Sequence, residues 1–118
     1  MSKVYYIYML RCEDNSIYTG ITTDLERRMS EHFSQNDKCA KYTLTHGAKK
    51  LEMAWETENR VLASKLEFYI KKLTKKQKEQ LIIRSDLLSK YLQHKIECSL
   101  YKNVEINLIN CKILQNNV

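Results

Sequence analysis

The chain contains no proline, two glycines, one tryptophan and no apolar run long enough to cross a membrane. Without proline no turn is set by a locked φ, and with only Gly20 and Gly47 to supply permissive backbone, little of the chain can consist of tight glycine turns. Met1-Ser2-Lys3-Val4 leads straight into an aromatic segment, with neither an apolar h-region nor a small-residue cleavage site, which points to a cytoplasmic protein with no membrane role. The cysteines, Cys12, Cys39, Cys98 and Cys111, form no C-x-x-C and stand at no zinc-site spacing from histidine. They read as free thiols.

What remains is ordinary globular composition: 118 residues, 43% hydrophobic and 29% charged, enough for one domain. Lys and Arg outnumber Asp and Glu by 20 to 14, a net charge of +6. That excess is local. Over residues 60–84 stand Arg60, Lys65, Lys71, Lys72, Lys75, Lys76, Lys78 and Arg84 against only Glu67 and Glu79, so one region carries the whole +6. A concentrated basic stretch suits a polyanion such as nucleic acid, although lysine-rich helix faces also serve simply as solvated surface.

Residues 3–10 are β-branched and aromatic on both parities, which predicts a central strand covered on two sides. Turn formers at 13–16 return the chain as a second strand over 17–21, and Thr23-Asp24-Leu25-Glu26 matches a capping box that would start a helix at Thr23. In that helix Leu25, Met29 and Phe33 form a buried stripe, with Arg28 and His32 along its border, where both can face a cleft. Residues 34–50 read as a connection with one short helical turn, and 51–56 alternate as a third strand. Residues 59–83 read as helix with a break near Leu73-Thr74, and Ser85-Asp86 can cap another. The stretch 97–118, with Val104, Ile106 and Leu108 among asparagines, fits an extra strand, a partner-binding arm or a frayed tail.

Tyr6-Ile7-Tyr8 and Tyr18-Thr19-Gly20 on two hairpin strands, then Arg28-Met29-Ser30-Glu31-His32 on the next helix and Glu67 on a later one, form an ordered set. It resembles the GIY-YIG endonuclease domain. The wider string Tyr5-Tyr6-Ile7-Tyr8-Met9-Leu10-Arg11-Cys12, with Leu25-Glu26-Arg27-Arg28 and Lys41-Tyr42-Thr43, is most similar to its small stand-alone bacterial branch of excision-nuclease-like proteins. The resemblance implies an α+β fold, a three-stranded antiparallel sheet flanked by helices over residues 1–84, with 85–118 as a C-terminal helical extension and Asn-rich tail. It also implies hydrolysis of DNA phosphodiesters, RNA not being excluded, assisted by one Mg²⁺ or Mn²⁺ ion, in repair or processing of structured or single-stranded DNA.

Carried over residue by residue, Glu67 is the metal carboxylate and Arg28 the phosphate clamp. Tyr18 would take a proton from the attacking water, with His32 as the other acceptor or as a relay from Tyr18. Tyr8 would orient water or phosphate. Arg27, ~100° around the helix from Arg28, should then be a surface residue. Gly20 is structural, retained where backbone or phosphate approaches closely. Lys41, Lys71, Lys72, Lys75 and Lys76 are the candidate phosphate contacts. Tyr6, where the family name has glycine, and Ile21, where repair members carry lysine, are departures. The competing readings are a non-catalytic nucleic-acid-binding module of the same fold, and a protein-docking role for residues 85–118.

Overall fold

Strand β1 (Tyr5–Cys12) returns through a turn containing Asn15, at φ 70°, as β2 (Ile17–Thr22). Helix α1 (Leu25–Ser34) and the short α2 (Lys41–His46) precede β3 (Ala48–Thr57). The chain continues as α3 (Arg60–Lys71), α4 (Lys75–Ile83), α5 (Leu87–Leu92), a 3₁₀ turn (Cys98–Leu100) and β4 (Lys102–Asn103). The structure is a computed structural model that describes residues 3–35, 38–107 and 109–110. Cys111 and Leu108 lie outside the described residues.

The sheet is antiparallel in the order β2-β1-β3-β4. It has four strands rather than the expected three, because Lys102 and Asn103 pair with Glu56 and Trp55. The extra strand is two residues long, too short for an alternation pattern to register. As its two-sided apolarity predicted, β1 is central: Ile7 and Met9 point into one core with Trp55, Leu66 and Ile70, and Tyr8 and Leu10 into another with Leu25, Met29 and Leu51. Strand β2 is left at the edge.

Local chemistry sets the element ends. Helix α1 is capped by Asp24, whose carboxylate accepts from the Arg27 amide, and not by Thr23. Thr22 holds Asp24 in that position, its hydroxyl accepting the Asp24 amide, so the cap falls one residue later than the capping-box pattern suggested. The break between α3 and α4 falls as expected: Thr74 and Gln77 form a reciprocal capping box. Arg11 then ties α4 to the sheet, forking onto Glu79 at 2.5 and 2.6 Å and reaching Glu52 at 3.1 Å.

Beyond Arg84 the chain stays in the core. Leu88, Leu92, Ile96 and Tyr101 join the cluster of Ile7, Met9 and Trp55, and the Tyr101 hydroxyl donates to the Leu62 carbonyl at 2.6 Å. Leu92→Ala is therefore expected to lower the unfolding free energy by ~2–5 kcal/mol within a single urea transition. A change below ~0.5 kcal/mol, the size of a surface substitution, would show that the extension is energetically separate.

Candidate active site

The register of the hairpin builds the site. Tyr8 lies opposite Gly20 on β2 and Ala54 on β3, so its phenol crosses between two of the smallest residues in the sheet. A Cβ on Gly20 would sit 2.5 Å from the Tyr8 hydroxyl oxygen, which is why the position takes no side chain although its backbone needs no positive φ.

Behind the phenol stands a chain of hydrogen bonds. The Tyr8 hydroxyl is 2.7 Å from His32 Nε2, His32 Nδ1 is 2.8 Å from Thr43 Oγ1, and the Thr43 hydroxyl donates to the Ala40 carbonyl at 3.0 Å. With the Thr43 proton committed to Ala40, its lone pair receives Nδ1–H, and Nε2 is left bare to accept from Tyr8. His32 and Thr43 are wholly buried. The border position expected for His32 is thus an enclosed one, because α2 closes over it. Burial, then the nearby Arg28, push the imidazole pKa down to about 4, against a smaller upward pull from Glu31, so His32 is neutral at pH 7. Burial, then Tyr18, hold the Tyr8 phenol well above its usual range, while Arg28 acts the other way.

Arg28 is half-buried and anchored through Nη1 to Glu31 at 2.9 Å and to the Lys38 carbonyl at 2.6 Å. Burial opposes its charge, but Glu31 and the Tyr8 hydroxyl outweigh that, so its pKa is raised. Arg27 is exposed. Glu67 reaches Tyr8 electrostatically from α3 and has Lys71 3.5 Å away. Tyr18 packs edge-on against His32, ring centroids 5.5 Å apart, and stacks on Tyr42 at 5.6 Å. Tyr42 in turn stacks on His46 at 4.0 Å.

The lysines divide. Lys71 lies 5.9 Å from the centre of the Tyr18 ring, and Lys75 reaches the Asn15 carbonyl and Glu79, so both border the site. Lys72 lies instead over Phe68 at 4.6 Å. Lys41 and Lys76 are exposed. Lys78, at the end of the Lys71 to Lys78 segment expected to contact phosphates, lines a cavity of about 470 Å³ with Lys75, Tyr42 and Asn15. Burial, then Lys75 and Lys71, depress its pKa. Thr43 was missed as a site residue, although it lies in the quoted Lys41-Tyr42-Thr43 string.

No three His, Cys, Asp or Glu side chains come together to hold a metal among the described residues. The donor set therefore does not fit an all-protein cage. It does fit a hard divalent ion held by one carboxylate, Glu67, with water and substrate oxygens completing the shell. Of the two acids in the basic region, Glu79 is locked on Arg11 and Lys75, whereas among the described residues the ion pair of Glu67 is the long one to Lys71.

The GIY-YIG catalytic domain model matches residues 4–80, the stretch that carries Tyr8 on the central strand, Tyr18 on the edge strand, Arg28 on α1 and Glu67 on α3. The chain belongs to that family. Among its relatives, the UPF0213 protein FN1575 of Fusobacterium nucleatum is 46% identical over 90 residues, covering 76% of this chain and 88% of its own. The UPF0213 protein YhbQ of Escherichia coli is 40% identical over 88 residues, covering 75% and 86%. A solution NMR structure of the UPF0213 protein BH0048 from Bacillus halodurans is 40% identical, covering 68% of this chain and 83% of that one with a TM-score of 0.44. No helix among the described residues is long and apolar enough to cross a membrane.

The buried imidazole gives a pH signature. His32 titrates near its ordinary 6.5 in the unfolded chain and at about 4 when folded, so between those values the unfolded chain binds the extra proton. Stability is then complete above pH 6.5 and falls as pH is lowered toward 4, by on the order of 3 kcal/mol. Urea titrations across this window should show the loss in the parent and a flatter profile in His32→Gln. Equal steepness in the two would contradict a neutral buried His32.

Proposed function

We propose that the chain is a divalent-metal-dependent endonuclease that hydrolyses phosphodiester bonds in DNA. One observation carries the reading: Arg28 and Glu67, from α1 and α3, both lie within electrostatic reach of Tyr8 on β1, whose phenol is hydrogen-bonded to a neutral histidine. Hydrolysis needs a proton removed from water, positive charge at the phosphate oxygens and help for the leaving oxygen.

The proton from the attacking water falls to Tyr18, the partly exposed phenol of the pair, whose phenolate, a form that nearby cations such as Lys71 favour, would accept it and become the phenol. Tyr8 and His32 stand behind it, the Tyr8 hydroxyl donating to the bare Nε2 of His32, and both are buried. His32 does not take the proton from water directly, since both ring nitrogens are engaged. It meets Tyr18 by ring contact, so Tyr8 and His32 act by holding the Tyr18 ring in place.

Arg28, fixed by Glu31 and the Lys38 carbonyl, offers its remaining N–H groups to the scissile phosphate. Glu67 would hold the Mg²⁺ or Mn²⁺ ion, which when bound supplies positive charge at the phosphate oxygens. Lys71, Lys75 and Lys78 add backbone-phosphate contacts on one side of the site.

The test is a cleavage panel of single-stranded, duplex, flap and junction DNA with and without Mn²⁺. Glu67→Ala and Arg28→Ala should each lose at least ~10²–10³-fold in rate, the cost of removing one transition-state charge partner, with unchanged circular dichroism. Full activity in Glu67→Ala would remove its metal role. Salt-sensitive binding without cleavage of any substrate would leave a nucleic-acid-binding module in place of a nuclease.

A further inference from the structure

The lysines of the basic region explain only one end of the cleft. The outer edge of β2 has no strand paired to it among the described residues and runs along the site, ~17 Å over the five steps between its six residues, with Tyr18 and Gly20 on the strand. At its start lies the cavity of Lys75, Lys78 and Tyr42. At its far end a second groove, of about 330 Å³, is lined by Thr22, Thr23, Arg27, Arg28, Glu31 and Arg60.

Three guanidiniums line that groove with one carboxylate, and Glu31 is already paired with Arg28. The Arg27 and Arg60 guanidiniums have no ion pair or hydrogen bond among the described residues, and both residues are exposed. Two uncompensated cations beside a third repel one another, and a phosphodiester oxygen pair is the complementary ligand. The arrangement also has a direction. Arg60, Ser64, Glu67 and Lys71 fall at i, i+4, i+7 and i+11 on α3 and share one helix face. That face places Arg60 at one end, Glu67 in the middle and Lys71 over Tyr18 at the other.

We propose that Arg27 and Arg60 form a second phosphate subsite. It holds a backbone phosphate of the strand being cut, on the side of the scissile bond away from Lys75 and Lys78. This rests on the nuclease reading for the identity of the ligand. Arg27 is then a substrate-binding residue in its own right, distinct from the clamp at Arg28, and the strand lies along the edge of β2 with cations at both ends and the reacting groups between them.

The experiment is anisotropy of a fluorescein-labelled flap oligodeoxynucleotide bound to the full chain in EDTA across a potassium chloride series. Arg27→Gln/Arg60→Gln is compared with the parent and with Lys49→Gln/Lys90→Gln, an exposed pair of equal charge change. The arginine pair should lower the log–log salt slope by ~0.7–0.9, one phosphate, and the control pair should leave it in place. A walk of single methylphosphonate substitutions should find one position whose neutralisation weakens the parent about as much as the arginine change does, and costs nothing further in the arginine variant. Equal slopes in the two variant pairs, or no such coupled position, would overturn the subsite. If the parent binds with the expected coupling yet never cuts in Mg²⁺ or Mn²⁺, the nuclease reading fails and the subsite stands. If it cuts and the slopes are equal, the subsite fails alone. If it binds no DNA, both fail.

Discussion

The bond between the Tyr8 hydroxyl and His32 Nε2, 2.7 Å long and shut away from solvent, is the constraint around which the rest is arranged. For the phenol to reach an imidazole on α1 it must pass across the sheet edge, which requires the missing side chain of Gly20. For the imidazole to accept, Nδ1 must carry the proton, which requires an acceptor on its far side. Helix α2 exists in part to supply it, through Thr43 and the Ala40 carbonyl. A neutral, doubly bonded histidine in a dry setting is far better defined than a free one, because an unsatisfied buried nitrogen would cost ~1–3 kcal/mol.

Charge is sorted by the same economy of placement. Arg11 takes both Glu79 and Glu52, and so fastens α4 against β1 and brings Lys75 and Lys78 to the turn beside Tyr42. Arg28 takes Glu31 and is held still. What these pairings leave over is a carboxylate at Glu67, lysines at one end of β2 and arginines at the other, all around a phenol. A surface built only for solubility would intersperse its signs, whereas here the cations line a cleft whose centre is acidic.

Much of this was legible in the sequence. The two-sided apolarity of β1 and the break at Leu73-Thr74 are local patterns, and local patterns survive folding. What was not legible depends on contacts between distant segments. Helical periodicity puts His32 on the stripe with Arg28, but its depth is set by α2, whose six residues show no period. The fourth strand is two residues drawn into register by Ala54, whose carbonyl accepts from the Val104 amide and the Asn103 side chain. The start of α1 was expected at a Thr23 cap, and it falls instead at Asp24, whose amide is held by the Thr22 hydroxyl. Arg27 and Arg60 are far apart in the chain and meet only across the end of β2.

The account stands or falls on the proton in the Tyr8–His32–Thr43 chain, since that proton position defines the buried packing that holds the site's side chains in place. Long-range ¹⁵N–¹H NMR of the imidazole reads it directly. At pH 7 the account predicts a neutral His32 with Nδ1 protonated and Nε2 bare. An Nε2–H tautomer, or an imidazolium at that pH, would contradict it.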